Sequence, residues 1–204
     1  MRRLRMFLDE WMTQRHLTKQ LVSIVLANPQ FEFVERKMLP IVDYWHLRSR
    51  DAVLFAFLGY AISPESQFPA SATFDPTLFN EAIEEIERGT SILYTGRTML
   101  VLTVAKKEEW EVQFDYDWVL DFDIEGLIAE GAISDIRVLF EDLIRLAKAH
   151  PADDALWAFE NKASDEGKHE AFMGVAEQYI PFLKNARKVA QAHTRFRVRK
   201  RSRD

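Results

Sequence analysis

Glu109-Trp110-Glu111-Val112-Gln113-Phe114-Asp115-Tyr116-Asp117-Trp118-Val119-Leu120-Asp121-Phe122-Asp123 alternates polar and apolar residues, with Val119 the one exception. Successive side chains on a strand point to opposite faces, so this pattern predicts a strand with one oily and one acidic face. Such a strand belongs to an antiparallel sheet covered on one side and open to water on the other. Six carboxylates fall on the open side, and Asp115, Asp117, Asp121 and Asp123 are the candidate partner-binding residues. Neutralising those four is expected to leave folding nearly intact.

Working outward, Thr98 to Ala105 is β-branched and aliphatic, and Gly96-Arg97 before it reads as a hairpin turn after a strand over Ser91 to Thr95. Asp75-Pro76 opens a helix, with an acidic N-cap and proline in the first turn. Its stripe is Leu78, Phe79, Ala82, Ile83 and Ile86, and Gly89 is expected as a left-handed cap. Before the Pro-marked loop 63–74 lie three β-like runs, Phe31 to Glu35, Ile41 to Leu47 and Val53 to Ile62. Leu4, Phe7, Leu8, Trp11, Leu17, Leu21, Ile24 and Val25 recur near helical spacing, which predicts a helix over 4–27. After Asp123 the period turns helical: Ile124 to Ala129, a longer helix capped by Ser134 with Pro151 beyond its end, a segment around Trp157, and 168–180. The class is α+β, a mostly antiparallel sheet packed by helices, with a helical C-terminal third and a basic tail. The expected organisation is an α+β domain over 1–123, a helical region over 124–190 and a flexible tail over 191–204.

At 204 residues and 48% apolar content the chain can bury a real core. It has no cysteine, which excludes disulfides, thiol catalysis and Cys-ligated zinc and fits a cytoplasmic protein. Its apolar runs are too short to span a bilayer, and Asp9 and Glu10 interrupt any signal-peptide core. The net charge of −5 hides an asymmetry: residues 7–183 hold about 15 basic and 31 acidic residues, while 184–203 hold nine basic residues and no acid. Arg195, Arg197, Arg199, Lys200, Arg201 and Arg203 are the candidate anion-binding residues, suited to phosphates with steep salt dependence. Because Arg alternates with Phe196 and Val198, the same segment also suits a sheet edge.

The chemistry-bearing residues form no familiar constellation. The acidic strand residues suit a hard cation, but at ~3.4 Å per residue Asp115 and Asp123 lie about 27 Å apart, so they share no single ion. His16, His46, His150, His169 and His193 show no metal-ligand spacing, and the seven glycines form no phosphate-binding loop. No catalytic, cofactor or metal residue is assigned.

Phe7-Leu8, Trp11 and Leu17, followed by an apolar segment ending in Asn28-Pro29, resemble the opening of the YpiB family, also called ReoY. Phe33-Val34-Glu35 stands at the family's Phe-Val-Glu strand. Asp75 to Ile86 followed by Ser91-Ile92-Leu93-Tyr94 is similar to its helix and Ile-Tyr-Ile strand. Phe159 to Phe172 resembles a degraded copy of the family's C-terminal IDEAL module, best at Glu170-Ala171-Phe172. The family's Leu-Lys-Arg-Arg core is here Leu17-Thr18-Lys19-Gln20. The resemblance implies a non-enzymatic regulatory or adaptor protein in regulated proteolysis and cell-wall precursor control, with a ClpC-type protease component or its substrate as partner. The basic tail supports the alternative of a nucleic-acid-associated protein.

Overall fold

The computed structural model describes residues 2–49, 51–61, 73–109, 111–116, 118–154, 156–157, 165–185 and 193–198. Its centre is a six-stranded sheet built from β1 (Lys19–Leu26), β2 (Leu54–Phe57), β5 (Met99–Lys107), β6 (Val112–Phe114), β7 (Trp118–Asp123) and β8 (Thr194–Val198). The order is β2-β1-β5-β7-β8, with β6 beside β5 on the β7 side. Every pairing is antiparallel except β1 with β2. A separate two-stranded sheet pairs β3 (Tyr60–Ala61) with β4 (Thr73–Phe74).

Helices cover both faces of the main sheet. On one face α1 (Arg2–Gln14) and α3 (Pro76–Gly89) bring Leu8, Met12, Phe79, Ala82 and Ile86 against Val22, Ile24, Val101, Val112, Phe114 and Val119. On the other, α2 (Val42–Ser49), α4 (Ile124–Ala129), α5 (Ile136–Ala149), α6 (Asp165–Tyr179) and α7 (Pro181–Asn185) share a core with Leu21, Phe55, Leu100, Leu102, Trp118, Leu120 and Phe122. That second core is aromatic. Trp45 stacks on Phe140 at 3.7 Å between ring centroids, Phe55 lies 4.5 Å from Phe140, and Trp118 stacks on Trp157 at 5.3 Å. Residues after Asp123 thus pack into the same cluster as Leu21, Trp45 and Phe55. No helix among the described residues is long and apolar enough to cross a membrane.

The structure corrects several local expectations. The helix expected over 4–27 ends at Gln14, His16 takes a positive φ of 55°, and 19–26 is the strand β1. This strand is buried on both faces, which erases the alternation that marks a half-buried strand. The runs 31–35 and 41–47 are not strands. A π-helical turn (Val34–Met38), a 3-10 turn (Leu39–Ile41) and α2 occupy this stretch. The reason lies in β2: it runs parallel to β1, and parallel neighbours need a crossover, which helices fill. The run 53–62 does contain strand, at 54–57 and 60–61, though β2 stands at the end of the sheet order. Residues 91–95 lie outside any strand.

Other local signals are realised at atomic level. Asp75 caps α3, its Oδ1 accepting from the N–H of Thr77 at 2.9 Å and of Leu78 at 3.2 Å. Gly96 takes φ +82° in the turn before β5. Asp135, one residue after the expected Ser134, caps α5. Gly89 is not left-handed; it lies within α3, and a Cβ there would meet the Tyr116 ring at 2.5 Å. Its role is close approach of the helix to the turn between β6 and β7, not chain reversal. Of the segment expected around Trp157, Ala155 and 158–164 lie outside the described residues.

Candidate functional site

The alternating stretch is not one strand. It breaks into β6 and β7 across Asp115–Asp117, and β5 registers both halves. Ala105 pairs with Phe114, and Leu102 with Leu120. Two residues of β5, Thr103 and Val104, therefore face five on the other side. The three-residue excess is odd, so the phase of the side chains inverts across it. Val112 and Phe114 point to the α1/α3 core, whereas Trp118, Leu120 and Phe122 point to the aromatic core. The Asp115 N–H donates to the Val104 carbonyl at 2.8 Å, and the Thr103 hydroxyl donates to the Asp115 carbonyl at 2.7 Å. These two bonds hold the bulge.

The open polar side is kept around β6, where Glu111 and Gln113 are exposed between buried Val112 and Phe114, and is lost beyond the bulge. Asp115 sits in the bulge and accepts from Lys106 Nζ at 2.6 Å, its side chain only 11% exposed. Asp117 lies outside the described residues. Asp121 is 3% exposed, in line with Val119 beneath the α1/α3 layer, opposite Val101 on one side and Arg195 on the other. Asp123 closes β7 and caps α4, its Oδ1 accepting from the Gly126 N–H at 2.9 Å. The three described aspartates thus have separate jobs and share no solvent face.

The basic candidates divide as well. Arg195 and Arg197 belong to β8, at register positions opposite Asp121 and Val119. Arg199, Lys200, Arg201 and Arg203 lie outside the described residues. The tail segment 194–198 therefore adds to the sheet edge, the placement its alternation suits.

Around Asp123 a cluster gathers that no local pattern announces. His193, just before β8, sets Nδ1 3.0 Å from Asp123 Oδ2 and Nε2 2.8 Å from Glu130 Oε1. Arg97 Nη1 donates to Asp123 Oδ2 at 3.2 Å. Glu125 accepts from both the N–H and the hydroxyl of Thr98 at 2.7 Å, tying α4 to the start of β5. A Cβ at Gly126 would collide with the His193 ring and with Asp123 Oδ2, so glycine makes room for the histidine. The Glu130 hydrogen bond, with help from Asp123, holds the His193 pKa above its ordinary value against the opposing effect of burial. Both ring nitrogens face carboxylate oxygens, an arrangement that only the doubly protonated ring satisfies as donor on both sides. The imidazole thus bridges Asp123 at the end of β7 and Glu130 at the end of α4, fastening the residue before β8 to both.

A second group of exposed residues lies across the molecule, on α2 and α5. Leu47 is 77% exposed and Tyr44 49%, and Val138 also faces solvent. Tyr44 Oη donates to Glu141 Oε1 at 2.8 Å, and Arg48 Nε to the same oxygen at 3.3 Å. Val138 and Glu141 are three residues apart on α5, so they share a face. Arg137 is held by Asp135 at 3.0 Å. Below this surface Asp142 is buried in an ion pair with Arg145, and burial raises its carboxyl above the usual range. Among the described residues no group of three or more His, Asp or Glu is placed to hold a metal ion. Comparison with protein-family models, curated proteins and solved structures finds no match to this chain.

Proposed function

We propose that this chain is a non-enzymatic regulatory or adaptor protein that works through protein contacts, with the α2/α5 surface as its docking face. The single observation that carries the reading is the display of Tyr44 and Leu47 on solvent-facing α2 beside Val138, with Glu141 held between Tyr44 and Arg48. Isolated exposed apolar residues are ordinary. Here a tyrosine, a leucine and a valine stand together with arginines, the mixture that interface centres favour, and the ion pairs pre-order the polar rim. The resemblance of 7–35, 75–94 and 159–172 to the YpiB family supports a place in regulated proteolysis, with a ClpC-type protease component or its substrate as partner. The test is binding of the full chain to a purified ClpC-type unfoldase, followed by calorimetry. Leu47→Asp is expected to weaken binding by about tenfold or more, the loss of an interface anchor. Equal affinity of the variant, or no binding by the wild type, would remove the reading.

The alternative, nucleic-acid association through the tail, draws on Arg199, Lys200, Arg201 and Arg203. Its mark would be binding to DNA or RNA whose affinity falls steeply with salt and which is lost on deleting 199–204.

A further inference from the structure

We infer that the outer edge of β7 is a strand-acceptor site for an extended peptide alternating arginine with apolar residues, filled in cis by residues 194–198 and clasped shut by His193. The inference is independent of the α2/α5 reading and concerns the opposite side of the sheet order from β2.

The first support is the pairing itself. Trp118 to Phe122 register with Val198 back to Thr194, a continuous antiparallel ladder of five positions. Main-chain bonds of this kind give affinity without regard to sequence, and the side chains at alternate positions supply selectivity. The edge of β7 has a definite selectivity. The register sets Arg195 opposite Asp121, a carboxylate 3% exposed, Phe196 opposite Leu120 and Arg197 opposite Val119. A buried carboxylate rejects a neutral or acidic neighbour and favours a cation. The occupant is therefore an arginine-rich extended strand with an apolar residue between its charges, the pattern the chain's own tail carries.

The second support is that β8 is held by a side-chain clasp at its entry. It arrives last in the sequence, across 186–192 from α7, and its attachment point is His193 on Asp123 and Glu130. Gly126 leaves the space that the imidazole fills. At Thr194, the next residue, the hydroxyl is buried without a hydrogen bond, so part of the cost of docking is not returned there. Beyond the ladder, the entry of the strand is held by one titratable group beside an unsatisfied hydroxyl, so the clasp is the point at which its hold can change.

The clasp also sets a pH dependence. The charged groups facing His193 are Asp123 at the end of β7 and Glu130 at the end of α4, with Arg97 sharing the Asp123 oxygen. The folded-state pKa of His193 is raised, so its contribution is full below about 6.5, the unfolded value, and is lost as pH rises through the folded value. On losing a proton the ring keeps one N–H and can donate to only one of its two carboxylates.

The test uses the full chain and a fluorescently labelled peptide Thr-Arg-Phe-Arg-Val-Arg, the sequence of 194–199, read by anisotropy at pH 6 and pH 8.5. Wild type is expected to bind weakly at pH 6 and more tightly at pH 8.5, as the clasp opens. His193→Ala, which removes both carboxylate contacts, should bind at pH 6 at least about five- to tenfold more tightly than wild type and should show little change with pH. Glu130→Gln, at a half-exposed position, should move the same way by a smaller factor, and it carries the test if the alanine variant does not fold. A control peptide with glutamate at each arginine should not bind. Equal affinity of wild type and both variants at pH 6, or equal binding of the glutamate peptide, overturns the proposal. So does concentration-dependent dimerisation of the variants that excludes the peptide, which would assign the edge to a second copy of this chain.

Discussion

Val112 and Phe114 belong to the same alternating series as Trp118, Leu120 and Phe122, yet the two groups lie on opposite faces of the sheet. Phe114 meets the α1/α3 layer, where Arg5 lies 5.7 Å over its ring and pairs with Glu85 of α3. Trp118, four residues later, is sealed against Trp157 in the aromatic core. The difference teaches that alternation reports the period of a strand and not its phase. An odd excess of residues changes the face and leaves the written pattern intact.

The largest effect is expected from deleting one residue, such as Tyr116, from the bulge. The excess becomes even, and Trp118, Leu120 and Phe122 would turn toward α1 and α3 while Asp121 turned into the aromatic core. We expect loss of cooperative unfolding in urea; a sharp transition near the wild-type midpoint would show that the bulge does not set the phase. Next in size is Trp118→Ala, expected to cost about 3–5 kcal/mol as a large-to-small change in a packed core. Phe114→Ala, at a position only 7% exposed, should fall in the same range by denaturation. A loss of less than about 1 kcal/mol at either position would contradict its burial in a core.

The smallest effects separate the acids. Asp121→Asn, at a buried position, is expected to cost about 1–3 kcal/mol. Asp115→Asn, which loosens an ion pair to a partly exposed Lys106, should cost about 0.2–1 kcal/mol. Thermal unfolding of the two single variants decides the matter, and equal small effects would return Asp121 to the surface. With Asp121 buried, neutralising all four aspartates is now expected to lower stability rather than leave folding nearly intact.

Much was legible where the physics is local. Asp75-Pro76 marks the start of α3 because an N-cap needs only a side chain within reach of the next two or three N–H groups. The run 124–129 reads as a short helix and is one, and Asp123 before it is the cap. Reading failed where the neighbour decides. Lys19–Leu26 is covered on both faces, so it lacks the alternation that separates strand from helix. Val34, Met38, Val42 and Trp45 are buried at helical spacings, but the apparent alternation of 31–35 competed with that signal. At the candidate site, alternation places Asp123 on the acidic face, whereas the residue caps α4. His193 and Glu130, seventy and seven residues away in the chain, carry no local sign of meeting it.

Composition, period and capping chemistry by themselves determined an α+β chain with a mostly antiparallel sheet, the start of α3, a strand-like alternation through 112–122 and a basic segment able to pair at a sheet edge. These depend on residues within a turn or two of each other. Only the tertiary structure decided which face each half of that alternation serves, that Asp121 is buried while Asp123 caps a helix, and that 194–198 lies on β7 behind a histidine clasp. Register and burial are set by contacts between segments far apart in the chain, and a three-residue bulge shifts them without altering the local pattern.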